Sequence, residues 1–128
     1  MPPGELKTIM YVEDEPDIRE VAKIALEMVG KLTVIMCSSG EEALKRAAEA
    51  RPDLLLLDVM MPGMDGPSTL KALRQIPATA GVPAVFMTAK VQPKEIQEYK
   101  ALGAVEIVAK PFDPMTLAQT LRDIWARC

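Results

Sequence analysis

The feature that most restricts the fold of this chain is a fivefold alternation. Short runs rich in Val, Ile and Leu, at about residues 7–13, 32–37, 53–58, 83–88 and 104–109, are each followed by a longer stretch of helical periodicity. Such an order predicts an α/β fold in which helices cover both faces of a parallel sheet. No internal repeat, low-complexity tract or long linker breaks the pattern in the 128 residues, and the last helical stretch reaches the final residue. The chain therefore reads as one domain over 1–128, with no output domain and no room for a second unit.

The punctuation of the helices supports this reading. The first, about 16–29, places Ile18, Val21, Ala22, Ala25, Met28 and Val29 on one face and is expected to stop at Gly30. The second opens at Ser39, with Glu42 three residues on to complete a capping box, and closes at Arg51-Pro52. The third (about 67–75) and fourth (about 93–102) are announced by Gly66-Pro67 and Gln92-Pro93. The fifth is expected to open at Asp113-Pro114, with Leu117, Leu121 and Ile124 facing inward.

Several classes of function are disfavoured. No apolar run approaches the roughly 20 residues of a membrane-spanning helix, and Met1-Pro2-Pro3-Gly4-Glu5 has neither the basic start nor the apolar stretch of a secretory signal, so a cytoplasmic location is expected. Cys37 and Cys128 lie far apart without CxxC spacing and read as reduced thiols. With 15 basic and 18 acidic residues, a net charge of -3 and no basic cluster interleaved with aromatics, direct nucleic-acid binding is not expected. Histidine is absent, so a metal site would have to rest on oxygen ligands, which favours magnesium-like ions.

In an open parallel sheet, ligands bind beyond the carboxyl ends of the strands. Here those ends carry Glu13-Asp14, Asp58, Thr88 and Lys110-Pro111. Three carboxylates gathered at one edge repel one another unless a cation sits among them. Lys110 adds a compact ammonium able to hold a phosphoryl oxygen, and the Thr88 hydroxyl can donate to another. The set suits phosphoryl transfer onto a carboxylate, which needs positioning and charge neutralisation more than a separate general base.

The segments Tyr11-Val12-Glu13-Asp14-Glu15, Leu54-Leu55-Leu56-Leu57-Asp58-Val59-Met60-Met61-Pro62-Gly63-Met64-Asp65-Gly66, Met87-Thr88-Ala89 and Lys110-Pro111-Phe112 resemble the response-regulator receiver family over nearly the whole chain. The resemblance implies a flavodoxin-like (βα)5 three-layer sandwich with strand order 2-1-3-4-5. It further implies that Asp58 is the phosphoacceptor, that Glu13, Asp14, Asp58 and the Met60 backbone carbonyl hold Mg2+ or Mn2+, and that Thr88 and Lys110 meet the phosphoryl group. A cis peptide bond is expected at Lys110-Pro111. The implied donor is a histidine kinase or histidine phosphotransferase. The implied readout surface is helix four, strand five and helix five, open to a target protein or to a second copy of the chain.

The sequence departs from the family's common pattern in two places. Ile107 stands where an aromatic residue is usual, and Glu13 stands where aspartate is frequent. Two other functions compete with the receiver reading. An aspartate-nucleophile phosphatase would share Asp, Lys, hydroxyl and magnesium, but such enzymes have a second aspartate two positions after the nucleophile, where this chain has Met60. A module that binds partners without phosphorylation would not need the five strand-end residues intact. On this reading the chain is a phosphoacceptor and not a turnover enzyme.

Plainer roles stand beside these. Glu13 and Asp14 could cap the first helix, and Asp65 reads as a cap rather than a ligand. Met60, Met61 and Met64 read as packing, and Gly63 and Gly66 as turn formers. Trp125 could finish the core or stand exposed as an anchor for a partner. Lys90, Gln92 and Tyr99 read as solvated surface.

Overall fold

A computed structural model describes residues 4–128. The strands are β1 (Thr8–Val12), β2 (Thr33–Cys37), β3 (Leu54–Asp58), β4 (Ala84–Thr88) and β5 (Glu106–Ala109). All pair in parallel, in the order β2-β1-β3-β4-β5. The helices are α1 (Pro16–Lys23), α2 (Gly40–Ala50), α3 (Gly66–Leu73), α4 (Pro93–Ala101) and α5 (Leu117–Ala126). The expected α/β architecture, strand order and cis Lys110-Pro111 bond are all present.

Strand side chains alternate between the two faces of a sheet, and two cores follow from that. Ile9, Tyr11, Leu54, Leu56, Val85, Met87 and Val108 pack on one side with residues of α1 and α5. Met10, Val12, Leu55, Leu57 and Phe86 pack on the other with residues of α2 and α3. Both faces are covered, so β3 and β4 are buried at every position. Among the described residues no helix is long and apolar enough to cross a membrane.

The first helix departs from expectation. From Ile24 to Val29 it widens into a π-helical turn, in which the Gly30 N–H reaches the Ala25 carbonyl at 3.0 Å. The buried face is Ala22, Ala25 and Leu26, while Val21, Val29 and Met28 are exposed, Met28 to 68%; the wider turn changes the direction of the residues that follow it, Met28 and Val29 among them. Gly30 does not stop the helix through a left-handed backbone: its φ is -86°, and Lys31 takes the positive value, 59°. Glycine is needed at 30 for proximity, because a Cβ there would collide with the Ala118 Cβ on α5.

Other junctions differ by a residue or a turn. Ser39 caps α2, accepting from the Glu42 N–H at 3.1 Å, but Glu42 reaches back to the N–H and hydroxyl of Ser38 rather than to Ser39. Asp113 accepts from the Met115 N–H at 2.9 Å through its side chain, and its carbonyl accepts from Thr116 and Leu117, so it closes a turn ahead of α5 and the regular helix begins at Leu117. Leu117, Leu121 and Ile124 face the core as expected. Trp125 finishes that core, and its indole N–H donates to the Gly4 carbonyl at 2.8 Å.

Candidate functional site

The carboxyl edge of the sheet gathers the acidic residues. β1 delivers Glu13, whose N–H continues the ladder by donating to the Cys37 carbonyl at 3.0 Å, and then Asp14. β3 ends on Asp58, and oxygens of Glu13, Asp14 and Asp58 lie within 4.8 Å of one another. Glu13 is fully buried and Asp58 nearly so. β5 is followed by Lys110, whose ammonium stands 2.9 Å from Glu13 Oε1 and 3.2 Å from Asp58 Oδ1. One cation thus bridges two buried carboxylates.

Asp14 makes a different contribution. Its Oδ1 is buried and has no hydrogen-bond partner among the described residues. It does not cap α1, whose N-cap position is Glu15 and carries no side-chain cap bond. A buried carboxylate oxygen without a donor is costly, and one facing two further carboxylates is what a hard divalent cation would satisfy. The donor set therefore fits a magnesium-like ion, with Asp14, Asp58 and Glu13 as the carboxylates available to it.

The electrostatics agree. Burial, together with the hydrogen bond and charge of Glu13, pushes the Asp58 carboxyl up to about 7, and Lys110 only partly offsets this. Burial works against the Lys110 ammonium, but Glu13 and Asp58 outweigh it and raise its pKa above the ordinary lysine value. The site holds more negative charge than its own lysine neutralises.

The loops that frame the site are built for close approach. Gly63 has φ +75°, a left-handed turn position. Gly66 serves contact rather than a turn: a Cβ on it would lie 2.5 Å from the Asp58 carbonyl oxygen. Asp65 caps α3, accepting from the Ser68 N–H at 2.8 Å, as its cap reading expects. Met61 packs in the core beneath the loop, but Met60 is 65% exposed, so the packing reading fails for that residue. The Met60 N–H faces Asp58 Oδ1 at 3.3 Å. Thr88 is buried at the end of β4, and its hydroxyl accepts from the Lys90 N–H at 3.1 Å.

Two residues the sequence reading passed over belong here. Arg19 donates to the carbonyls of Glu13 and Asp14 at 2.8 and 2.9 Å, clamping the acidic loop onto α1. The Tyr11 hydroxyl donates to Glu13 Oε1 at 3.1 Å; burial, then the Glu13 charge, pushes its pKa well up, so it remains a donor. A tyrosine two residues before an acid on a buried strand is the available signal for the second. Ile107 is half-buried on the α2/α3 side of the sheet, and the nearby aromatic contact is Tyr99 of α4 set edge-on to Phe86, centroids 5.7 Å apart.

The profile of the response regulator receiver domain matches residues 9–122, most of the chain. The chain belongs to the response regulator receiver family. Receiver domains are modules of two-component signal transduction. The chain is 39% identical over 114 residues to the DNA-binding response regulator MtrA of Mycolicibacterium smegmatis, covering 89% of this chain and 48% of that protein. It is 38% identical over 121 residues to the alkaline phosphatase synthesis transcriptional regulatory protein PhoP of Bacillus subtilis, covering 94% and 49%. The receiver thus spans about half the length of the curated relatives it matches. Among solved structures, the chemotaxis protein CheY4 of Vibrio cholerae superposes with a TM-score of 0.85 at 34% identity, covering 93% of this chain and 98% of that one.

Proposed function

We propose that Asp58 accepts a phosphoryl group from a phosphohistidine of a histidine kinase or histidine phosphotransferase, in the cytoplasm, with Mg2+ or Mn2+ at the site. The observation that carries this reading is the buried Asp14 Oδ1, without a hydrogen-bond partner among the described residues, beside a lysine-bridged pair, Glu13 and Asp58. An Asp58 carboxylate oxygen forms the new bond to phosphorus as the bond to the imidazole nitrogen breaks, and the imidazole, whose other ring nitrogen already carries a proton, leaves as the neutral base. A bound divalent ion supplies charge neutralisation for the transferring oxygens. Asp14, Asp58 and Glu13, with the Met60 carbonyl that the family resemblance adds, would hold it.

The chain's own residues do the rest. Lys110 turns its ammonium from Glu13 toward the phosphoryl group, and the Thr88 hydroxyl leaves the Lys90 N–H to donate to another phosphoryl oxygen. These movements bias the surface formed by α4, β5 and α5, where a target protein or a second copy binds. Whether the receiver acts alone or within a longer protein, as the curated relatives about twice its length are, this chemistry is the same.

Receiver domains are generally not turnover enzymes. An exposed Met60 two positions after Asp58 offers no general acid for a phosphatase. The test is incubation with magnesium and a small acyl phosphate, followed by intact-mass measurement. One phosphoryl increment is expected, lost with chelator and absent in Asp58→Asn. An increment that survives Asp58→Asn, or none at all, overturns the proposal, while sustained hydrolysis of a phosphate ester would favour the phosphatase.

A further inference from the structure

Tyr11 sits in the middle of a core that does not need its hydroxyl. The residue is wholly buried on β1, on the face shared with Ile9, Leu56 and Met87. Phenylalanine would fill the same space without a polar atom to satisfy. Among the described residues the hydroxyl has two hydrogen-bond acceptors, Glu13 Oε1 at 3.1 Å and the Met87 sulfur at 3.3 Å. Glu13 Oε1 is the same oxygen that Lys110 holds at 2.9 Å. Its sister, Oε2, has one donor, the Glu15 N–H at 3.3 Å.

The two donors on Oε1 differ in kind. The tyrosine ring is wedged in the sheet, whereas the lysine ammonium rides on a flexible stem and already touches Asp58. We infer that Tyr11 is a positioning residue, whose hydroxyl keeps the buried Glu13 carboxylate satisfied and in place while Lys110 turns from Glu13 to the phosphoryl group on Asp58. This rests on the phosphoacceptor reading proposed above.

The physical reason is the asymmetry of buried hydrogen bonds. While Lys110 stays on Glu13, the Tyr11 hydroxyl is a second donor and adds little. Once the ammonium is drawn away, Tyr11 is the side-chain donor left on Oε1 among the described residues, and losing it would leave that buried oxygen without a hydrogen bond even where an ion neutralises the carboxylate. Glutamate suits this role: Tyr11 and Glu13 are two apart on one strand and share a face. The additional methylene of glutamate lets its carboxylate reach the phenol, which aspartate would not.

Two measurements test the inference. In metal-free buffer, Tyr11→Phe is expected to shift the urea midpoint little, because Lys110 still serves Glu13. In a Lys110→Met background the same change is expected to lower the folding equilibrium constant roughly tenfold more. With magnesium and acyl phosphate, Tyr11→Phe is expected to slow adduct formation roughly tenfold, and to leave the rate within about twofold when added to Glu13→Asp.

Equal midpoint losses in both backgrounds overturn the inference, as does Tyr11→Phe protein that is phosphorylated at the wild-type rate or slowed equally beside Glu13→Asp. The last two leave the phosphoacceptor reading intact. A wild-type protein that takes no phosphoryl group overturns both.

Discussion

Lys110→Met is expected to lower the unfolding free energy by about 3 kcal/mol at about pH 8, and by clearly less near pH 5. Methionine keeps most of the lysine stem's volume and removes the ammonium that stands 2.9 Å from Glu13 and 3.2 Å from Asp58. Both carboxylates are buried, so the charges left behind are poorly solvated. The loss should follow pH because Asp58 can take up a proton. Its carboxyl already titrates near 7 with the lysine present, and without that charge it rises further, so the deficit grows as pH climbs. Added magnesium should recover part of the loss, since a divalent ion replaces the missing charge. Urea midpoints for both proteins across pH, with chelator and with magnesium, check this. A deficit that is the same at every pH would mean that packing, not charge, holds the site.

The wild-type protein carries the complementary signature. Burial and Glu13 hold Asp58 at about 7 in the folded protein, against an ordinary 3.8. Between those values the folded state retains a proton on Asp58 that the unfolded chain has released, so the contribution of this group to stability falls as pH rises. The decline begins near 3.8 and levels off above 7. It amounts to a few kcal/mol, because each pH unit crossed between the two values costs about 1.4 kcal/mol. Asp58→Asn abolishes that titration. The variant should be the more stable protein at about pH 8 and show a flatter profile, while magnesium should stabilise the wild type more than the variant. Wild-type stability that stays level from mildly acid to mildly alkaline pH, or an asparagine variant weaker than the wild type in alkali, would remove buried repulsion as the organising force of the site.

The architecture and the acidic edge were legible for the same reason. Runs such as Leu54-Leu55-Leu56-Leu57 must be buried on both sides, and the residue that ends such a run is delivered to the edge of the sheet, where Asp58 meets Glu13 and Lys110. Other features leave no comparable trace. Arg19 works on main-chain carbonyls, which every residue possesses, so nothing at positions 13 and 14 marks its target. The inner face of α1 is ambiguous in the sequence because Val21, Met28 and Val29 compete with Ala22, Ala25 and Leu26 for an apolar stripe, and the π-helical turn that redirects Met28 and Val29 leaves no mark in it. Gly30 has the composition of a helix stop, but its requirement comes from Ala118, far away in the chain. Asp113-Pro114 marked the approach to α5, while the regular helix waits for Leu117.

The placement of Trp125 has an optical consequence. It is the chain's one tryptophan, and its indole is tied to the Gly4 carbonyl, ahead of β1, whereas the carboxylates gather beyond the opposite end of that strand. Its fluorescence should therefore report the seating of α5 against the beginning of the chain and change little when an ion enters the acidic edge. Emission will follow the packing of α5, and ion binding at the acidic edge must be read by other means.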